Sequence, residues 1–248
     1  MSDTPTRISL RKVGILSVLY FVQGLPGGFL LLTLPIYMRS QGMSLTKITM
    51  FMGVGAPWVF KFLWAPLADR YYWPKLGRRK SWILPAQLGL VASLVATAML
   101  YQQVSYSGLL VLMFVVSLFA ATQDIGVDGL AVDILGDHER GVGNSVQAAG
   151  YKVGMIGGSY GMGYVAEYFG LTGCFWVMAG AVAIAMLVPL MLREAPPPEV
   201  IVKARSGETK MSVLKLFGTL FTHKGAVVFL LFILLVKAGD SIANPLFR

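Results

Sequence analysis

Seven stretches of roughly twenty mostly apolar residues, at 13–38, 45–67, 82–101, 108–132, 142–168, 173–192 and 225–244, leave this chain few ways to fold. A segment that crosses hydrocarbon needs about 20 such residues. In lipid every backbone N–H and C=O must be bonded internally, which leaves helices or a closed barrel. These runs are too long for barrel strands, so the chain is expected to be an all-α integral membrane protein. At 56% hydrophobic residues, an ordinary soluble domain is excluded. The first run also exceeds the roughly 7–15-residue apolar core of a signal peptide, and reads as an uncleaved helix.

The formal charge of +9 invites a nucleic-acid reading, but the basic residues are distributed by topology. Most of the 21 Lys and Arg fall in alternate connecting segments. Arg7, Arg11 and Lys12 precede the first run, Arg70, Lys75, Arg78, Arg79 and Lys80 follow the second, Arg140 follows the fourth, and a further group follows the sixth. The intervening loops hold only Arg39 and Lys47. This is the positive-inside pattern and predicts a cytoplasmic N-terminus, with membrane lipid rather than nucleic acid as the surrounding partner. The single cysteine, Cys174, permits no internal disulfide and reads as packing.

Residues 1–192 read as a six-helix bundle. Residues 193–224 read as a cytoplasmic linker opening on Arg-Glu-Ala-Pro-Pro-Pro-Glu, which cannot continue a helix. Within it, 211–221 has helical spacing and is expected to lie along the membrane surface. Residues 225–248 hold one further helix, the first of an incomplete second bundle. Transporters are commonly built from two related helical halves. Six helices, an inner linker and one more helix therefore read as a truncated chain whose partner is a missing C-terminal half.

Glycine and proline punctuate the spans. Gly24-Leu25-Pro26-Gly27-Gly28 is expected to kink or break the first, for packing or to line a solute site, and Ala56-Pro57-Trp58 to kink the second. Gly150, Gly154, Gly157 and Gly161 recur at helical spacing in the fifth and read as a packing stripe.

Charges inside apolar runs are costly and usually face a partner, a cavity or a substrate. At 1.5 Å rise per residue, Lys61 lies about 12 Å before Asp69, Asp124 about 12 Å above the inner end of the fourth span, Lys152 about 15 Å into the fifth and Lys237 about 18 Å into the seventh. Four charges on four helices thus share a depth. Asp124 and Asp128 are four apart on one helix face, bordered by Gln123. Lys152, following Tyr151, is expected to neutralise Asp124 or Asp128. The second carboxylate is then free to titrate, as a proton-coupled carrier requires. A static ion pair that fixes helix packing is the alternative. Lys237 and Asp240, three apart, either pair locally or join this set. Asp133 is expected to meet water at the inner end.

The stretch Val59-Phe60-Lys61-Phe62-Leu63-Trp64-Ala65-Pro66-Leu67-Ala68-Asp69-Arg70, followed by Leu76-Gly77-Arg78-Arg79-Lys80, resembles the loop between helices two and three of major facilitator transporters. Its longer spacer, with Lys-Phe-Leu-Trp-x-Pro-Leu ahead of it, resembles the AmpG-type permeases and their acetyl-coenzyme A transporter relatives. Gln123-Asp124-Ile125 with Asp128, Glu139-Arg140-Gly141 leading to Gly150-Tyr151-Lys152-Val153-Gly154-Met155, and Lys237-x-Gly239-Asp240 resemble the fourth, fifth and seventh helices of that family in order. The resemblance implies proton-driven import of a small polar solute across the bacterial inner membrane. AmpG-type members carry anhydro-muropeptides, and relatives import siderophores such as pyochelin or rhizobactin. Asp128-Gly129-Leu130-Ala131-Val132 and Gly143-Asn144-Ser145-Val146-Gln147 look closer to the siderophore branch. The resemblance also makes Asp69, Arg70, Gly77, Arg78 and Arg79 a conformational-gating loop that meets the second half.

Rival classes fit less well. Lys237 invites comparison with a retinal-binding lysine, but a seven-helix receptor usually places its N-terminus outside. The two histidines, His138 and His223, are far apart, and no nucleophile motif or phosphate loop is present, so neither an enzyme, a metal site nor a cofactor is implied. A channel shares the buried charges, and saturable, gradient-dependent uptake separates it from a carrier.

Overall fold

The computed structural model describes residues 9–192, Glu194, and Gly225, Val228, Leu231, Phe232 and Leu235. The chain divides into two compact units, 1–197 and 198–248. In the second, Val228, Leu231, Phe232 and Leu235 are helical and exposed. The linker at 195–224, most of the expected seventh span including its end at 244, and Lys237 and Asp240 lie outside the described residues.

The first unit is built of six spans. Helix α1 is Leu10–Ser40, α2 runs over 45–70, α3 is Lys80–Leu100, α4 is Tyr106–Ile134, α5 runs over 140–169 and α6 over 171–191. Among the described residues, four helical segments are long and apolar enough to cross a membrane, and one of these, Asp137–Met191, contains both α5 and α6. The chain reverses between them at Gly170, whose φ of 63° and ψ of −172° leave the helical region. Cys174 Sγ consequently sits 3.2 Å from the carbonyl oxygen of Met162. Twelve residues of straight helix would separate them by about 18 Å. The buried Cys174 is packed, as its sequence context predicts.

The second span departs most from an uninterrupted helix. It is a relay of short pieces, Leu45–Phe51, the 3₁₀ turn Met52–Gly55, Ala56–Phe60, the 3₁₀ turn Lys61–Leu63 and Ala65–Arg70. Pro57 and Pro66 lack the N–H that would continue the ladder, and each sits in the first turn of a new piece, where that donor has no intrahelical partner. The expected kink at 56–58 is therefore one of several, and Lys61 lies at the second of these junctions.

The first span behaves in the opposite way. It stays helical through Pro26 and passes into a π turn at Phe29–Thr33 without breaking. Its glycines admit a neighbour. A Cβ added at Gly24 would lie 2.3 Å from the Tyr151 carbonyl oxygen, and one at Gly28 2.1 Å from that of Met155. From the other side, a Cβ at Gly154 would lie 2.0 Å from the Phe21 oxygen and one at Gly158 2.1 Å from the Leu25 oxygen. Backbones thus touch along the α1–α5 seam, as small residues permit in lipid. The expected stripe needs one correction. A π turn at Gly157–Gly161 inserts a residue, so Gly158 takes the close backbone contact, Gly157 meets only side chains, and Gly161 touches nothing within 4 Å. The Thr33 hydroxyl donates to the Gly158 carbonyl at 2.8 Å, tying the two π turns together.

Helix α3 packs against both α4 and α6, and α2 leans on α4. Two apolar clusters fill the interior. One contains Leu16, Leu19, Ile83, Leu130 and Ala131, the other Val22, Phe29, Leu90, Leu94, Met113 and Phe175. Each draws on α1, α3 and α4.

Candidate functional site

The broken second span sets the site. At the junction following Phe60, the Lys61 side chain reaches α4 and contacts both carboxylates there. It hydrogen-bonds to Asp124 and lies 3.3 Å from Asp128 Oδ2. Two residues of α1 complete the cluster. The Gln23 amide donates to Asp124, and the Tyr20 hydroxyl donates to Asp128 at 2.7 Å. The four-residue spacing of Asp124 and Asp128 lets one lysine serve both. They are not equivalent. The Asp124 side chain is 14% exposed and that of Asp128 48%, with Lys61 at 31%. One cation faces two carboxylates, so the cluster is one proton or one cation short of neutral.

This corrects the expected pairing. Lys61, not Lys152, neutralises Asp124. Lys152 is exposed on α5 and makes no ion pair among the described residues. The lysine stem spans the gap because the 3₁₀ turn at Lys61–Leu63 breaks α2 beside α4. Gln123 borders Asp124 in sequence but is turned into the protein, 1% exposed. Tyr20 and Gln23 were not anticipated. With Gly27 they form an i, i+3, i+7 face on an apolar span, a polar stripe legible in the sequence.

One turn beyond the cluster a cavity of about 290 Å³ opens between α1, α2 and α5, with Gly27, Leu31, Gly55, Trp58 and Tyr151 among its walls. It continues the faces that carry the charges. Gly27 is four residues from Gln23, and Trp58 three from Lys61. Tyr151 leans over α1, its hydroxyl 3.2 Å from where a Gly27 Cβ would stand. The cavity is near the lower end of the roughly 300–1,000 Å³ typical of ligand pockets.

A second charged network lies at the far end of α2 and α3. Arg78 donates to both oxygens of Asp133, at 2.7 and 2.6 Å. Arg79 donates through Nε to Asp133 and through Nη1 to Asp69, each at 2.7 Å. Both arginines are buried. Burial works against the Arg79 charge, but the hydrogen bonds and charges of Asp133 and Asp69 outweigh it and raise its pKa. Asp133 therefore holds two guanidinium groups and does not simply meet water. Gly129 makes room for this, since a Cβ there would lie 2.4 Å from the Arg79 guanidinium. Glu194, beyond α6, accepts from the backbone N–H groups of Arg79 at 2.9 Å and Lys80 at 2.6 Å, capping α3 where its dipole is positive. Gly77, at φ 103°, turns the chain into this cap, and a Cβ on it would meet the Glu194 carboxylate at 2.7 Å. Arg70 stacks beside Tyr71 at 5.6 Å. Asp69, Gly77, Arg78 and Arg79 of the expected gating loop thus converge, Asp133 joins them instead of meeting only water, and Glu194 was missed, being unremarkable beside a loop. In the turn before α5, Glu139 accepts from Lys12 and from the Gly136 amide. Lys12 first, then that amide, hold its carboxyl below its ordinary range.

Known proteins give this geometry a context. A model of the Major Facilitator Superfamily matches residues 16–245. The chain is 33% identical over 236 residues to the anhydromuropeptide permease of Escherichia coli K12, covering 95% of this chain and 47% of that protein. It is 26% identical over 247 residues to a Rickettsia felis relative named as transporter AmpG 4, covering 93% and 58%. The chain spans about half the length of the curated relatives it matches. A match over nearly every residue, on an all-helical membrane unit, places the charged cluster and the arginine network in one setting: the chain belongs to the Major Facilitator Superfamily, and its similarity runs to the AmpG-type permeases.

Proposed function

We propose that this chain forms part of a proton-coupled carrier that imports a polar solute across the bacterial inner membrane, with its N-terminus in the cytoplasm. The observation that carries the reading is Lys61 shared between Asp124 and Asp128. A lysine serving two carboxylates leaves one negative charge to be met by a proton or by a cationic group of the solute. The three groups lie about one helical turn from a cavity whose walls are mainly apolar and aromatic. A solute with a ring and a charged tail suits that division, the ring against Trp58 and Tyr151 and the tail toward the charges. Asp128 is the more exposed carboxylate and, in this reading, the one that exchanges a proton. The Arg78–Arg79 network then holds the end of α3 against α4 in one conformational state.

An anhydro-muropeptide fits this description and is the cargo named for the E. coli relative. A siderophore remains the second candidate, on the sequence around Asp128–Val132. The test is uptake of labelled anhydro-muropeptide by cells expressing the protein from its own reading frame and lacking their own permease. Uptake should collapse with a protonophore, and Asp128→Asn should lose its dependence on external pH. Uptake that survives collapse of the gradient, or an Asp128→Asn protein with an unaltered pH profile, refutes the coupling. Competition by ferric siderophore but not by muropeptide reassigns the cargo.

A further inference from the structure

Between the two apolar clusters lies a layer that the carrier reading does not use. Gln23 on α1, Gln87 on α3 and Gln123 on α4 are 5%, 0% and 1% exposed. Both amide atoms of Gln87, both of Gln123, and Oε1 of Gln23 are buried without a hydrogen-bond partner. Five such atoms in one membrane-embedded layer are costly, since an unsatisfied polar group in hydrocarbon costs several kcal/mol.

The helix register brings Gln87 and Gln123 together, and Gln23 meets α4 at Asp124, next to Gln123 in sequence. Ile83 faces Gly126, and Gly89 faces Phe119, so α3 and α4 run antiparallel with Gln87 and Gln123 between those two contacts. Gln123 is four residues from Phe119 and three from Gly126, on the α4 face that meets α3. Gln87 is four residues from Ile83 and lies between the α3 members of the two clusters, Ile83 and Leu90. Gln23 lies on α1 beside Val22, one turn from Leu19, with its amide nitrogen already committed to Asp124. Three neutral amides offer donors and acceptors in equal measure. That is the chemistry of a water site, where a buried molecule makes about three hydrogen bonds to groups otherwise unsatisfied. A cation would find carbonyl oxygens but also amide hydrogens turned toward it.

We propose that Gln23, Gln87 and Gln123 enclose bound water in the bundle interior, beside Asp124 and apart from the solute cavity. The water bridges α3 to α4 and reaches Asp124 through Gln23. The carboxylate thereby keeps a hydrogen-bonded support on its protein side that does not depend on Lys61. Nothing in the proposal requires transport, so it stands or falls separately from the coupling reading.

The test is nuclear magnetic resonance on the full chain in lipid nanodiscs, with glutamine side chains labelled with ¹⁵N. Magnetisation transfer from water to the Gln87 and Gln123 side-chain amides is expected, with residence long enough to give a cross-peak of the sign of bound water. In Gln87→Leu the Gln123 cross-peak should fall at least severalfold, while Gln87→Asn, which keeps an amide, should retain it. A contact between the Gln87 and Gln123 amides with no water cross-peak to either means that they pair directly and overturns the proposal. An unchanged Gln123 cross-peak in Gln87→Leu shows that the two amides share no water and overturns it equally.

Discussion

The molecule carries two charged networks, built on different arithmetic. In the membrane-embedded cluster one lysine serves Asp124 and Asp128, one of them half exposed. In the network at the end of α3 two buried arginines meet Asp133 and Asp69, while Glu194 takes two backbone N–H groups. Lysine is a compact charge on a flexible stem. Arginine is a planar fork that fits a carboxylate at two points and keeps its proton. The first network is short of positive charge and held by a movable group. In the second, two rigid forks match two aspartates, and the further carboxylate, Glu194, is met by backbone N–H groups. Their difference teaches that charge count and donor geometry separate a site fitted to change state from one fitted to hold a conformation.

The largest test of that contrast is Lys61→Met. It leaves two neighbouring carboxylates without a cation and should cost about 2 kcal/mol in unfolding free energy, less than breaking a fully buried pair because Lys61 and Asp128 are partly exposed. Lys61→Met with Asp124→Asn should recover part of that loss, and thermal melts in detergent measure both. If the single variant melts like the parent, the lysine is a surface group and the contrast fails. Next is Arg79→Lys, which keeps the charge and loses the fork. A loss of about 1.5 kcal/mol is expected, nearly all from Asp133, because Asp69 is exposed and such a pair contributes little. Glu194→Ala should cost about 1 kcal/mol by uncapping α3, read as faster amide exchange at Arg79 and Lys80. Lys152→Ala should change stability by less than about 0.5 kcal/mol, as for an exposed side chain that makes no ion pair among the described residues. The smallest effect concerns pH. The Glu139 pKa is depressed by Lys12, so its contribution is present above the ordinary carboxylate range and lost as pH falls through the depressed value. Glu139→Gln should flatten that acid limb of the melting curve slightly.

Much of this was legible in advance. Apolar runs of about twenty residues fixed the six spans to within a few residues, because lipid tolerates no unpaired backbone. The Asp69–Arg79 loop was recognisable from its residues, and the Asp124–Asp128 pair from a spacing of four. What escaped was partnership. Lys152 and Lys61 reach similar depths on paper, and only the break in α2 beside α4 decides which one meets Asp124. Gly157 and Gly158 are equal candidates for the seam until a π turn shifts the register.

Local chemistry therefore determined the helices, their number and the identity of the charges. Tertiary structure alone decided which charge faces which, because a helix fixes spacing along its own axis and says nothing of its rotation against a neighbour. That rotation is set by glycines letting backbones touch at Gly24, Gly28, Gly154 and Gly158, and by the breaks that divide α2 where it packs on α4. Close packing over the whole bundle selects it, and no single residue announces the result.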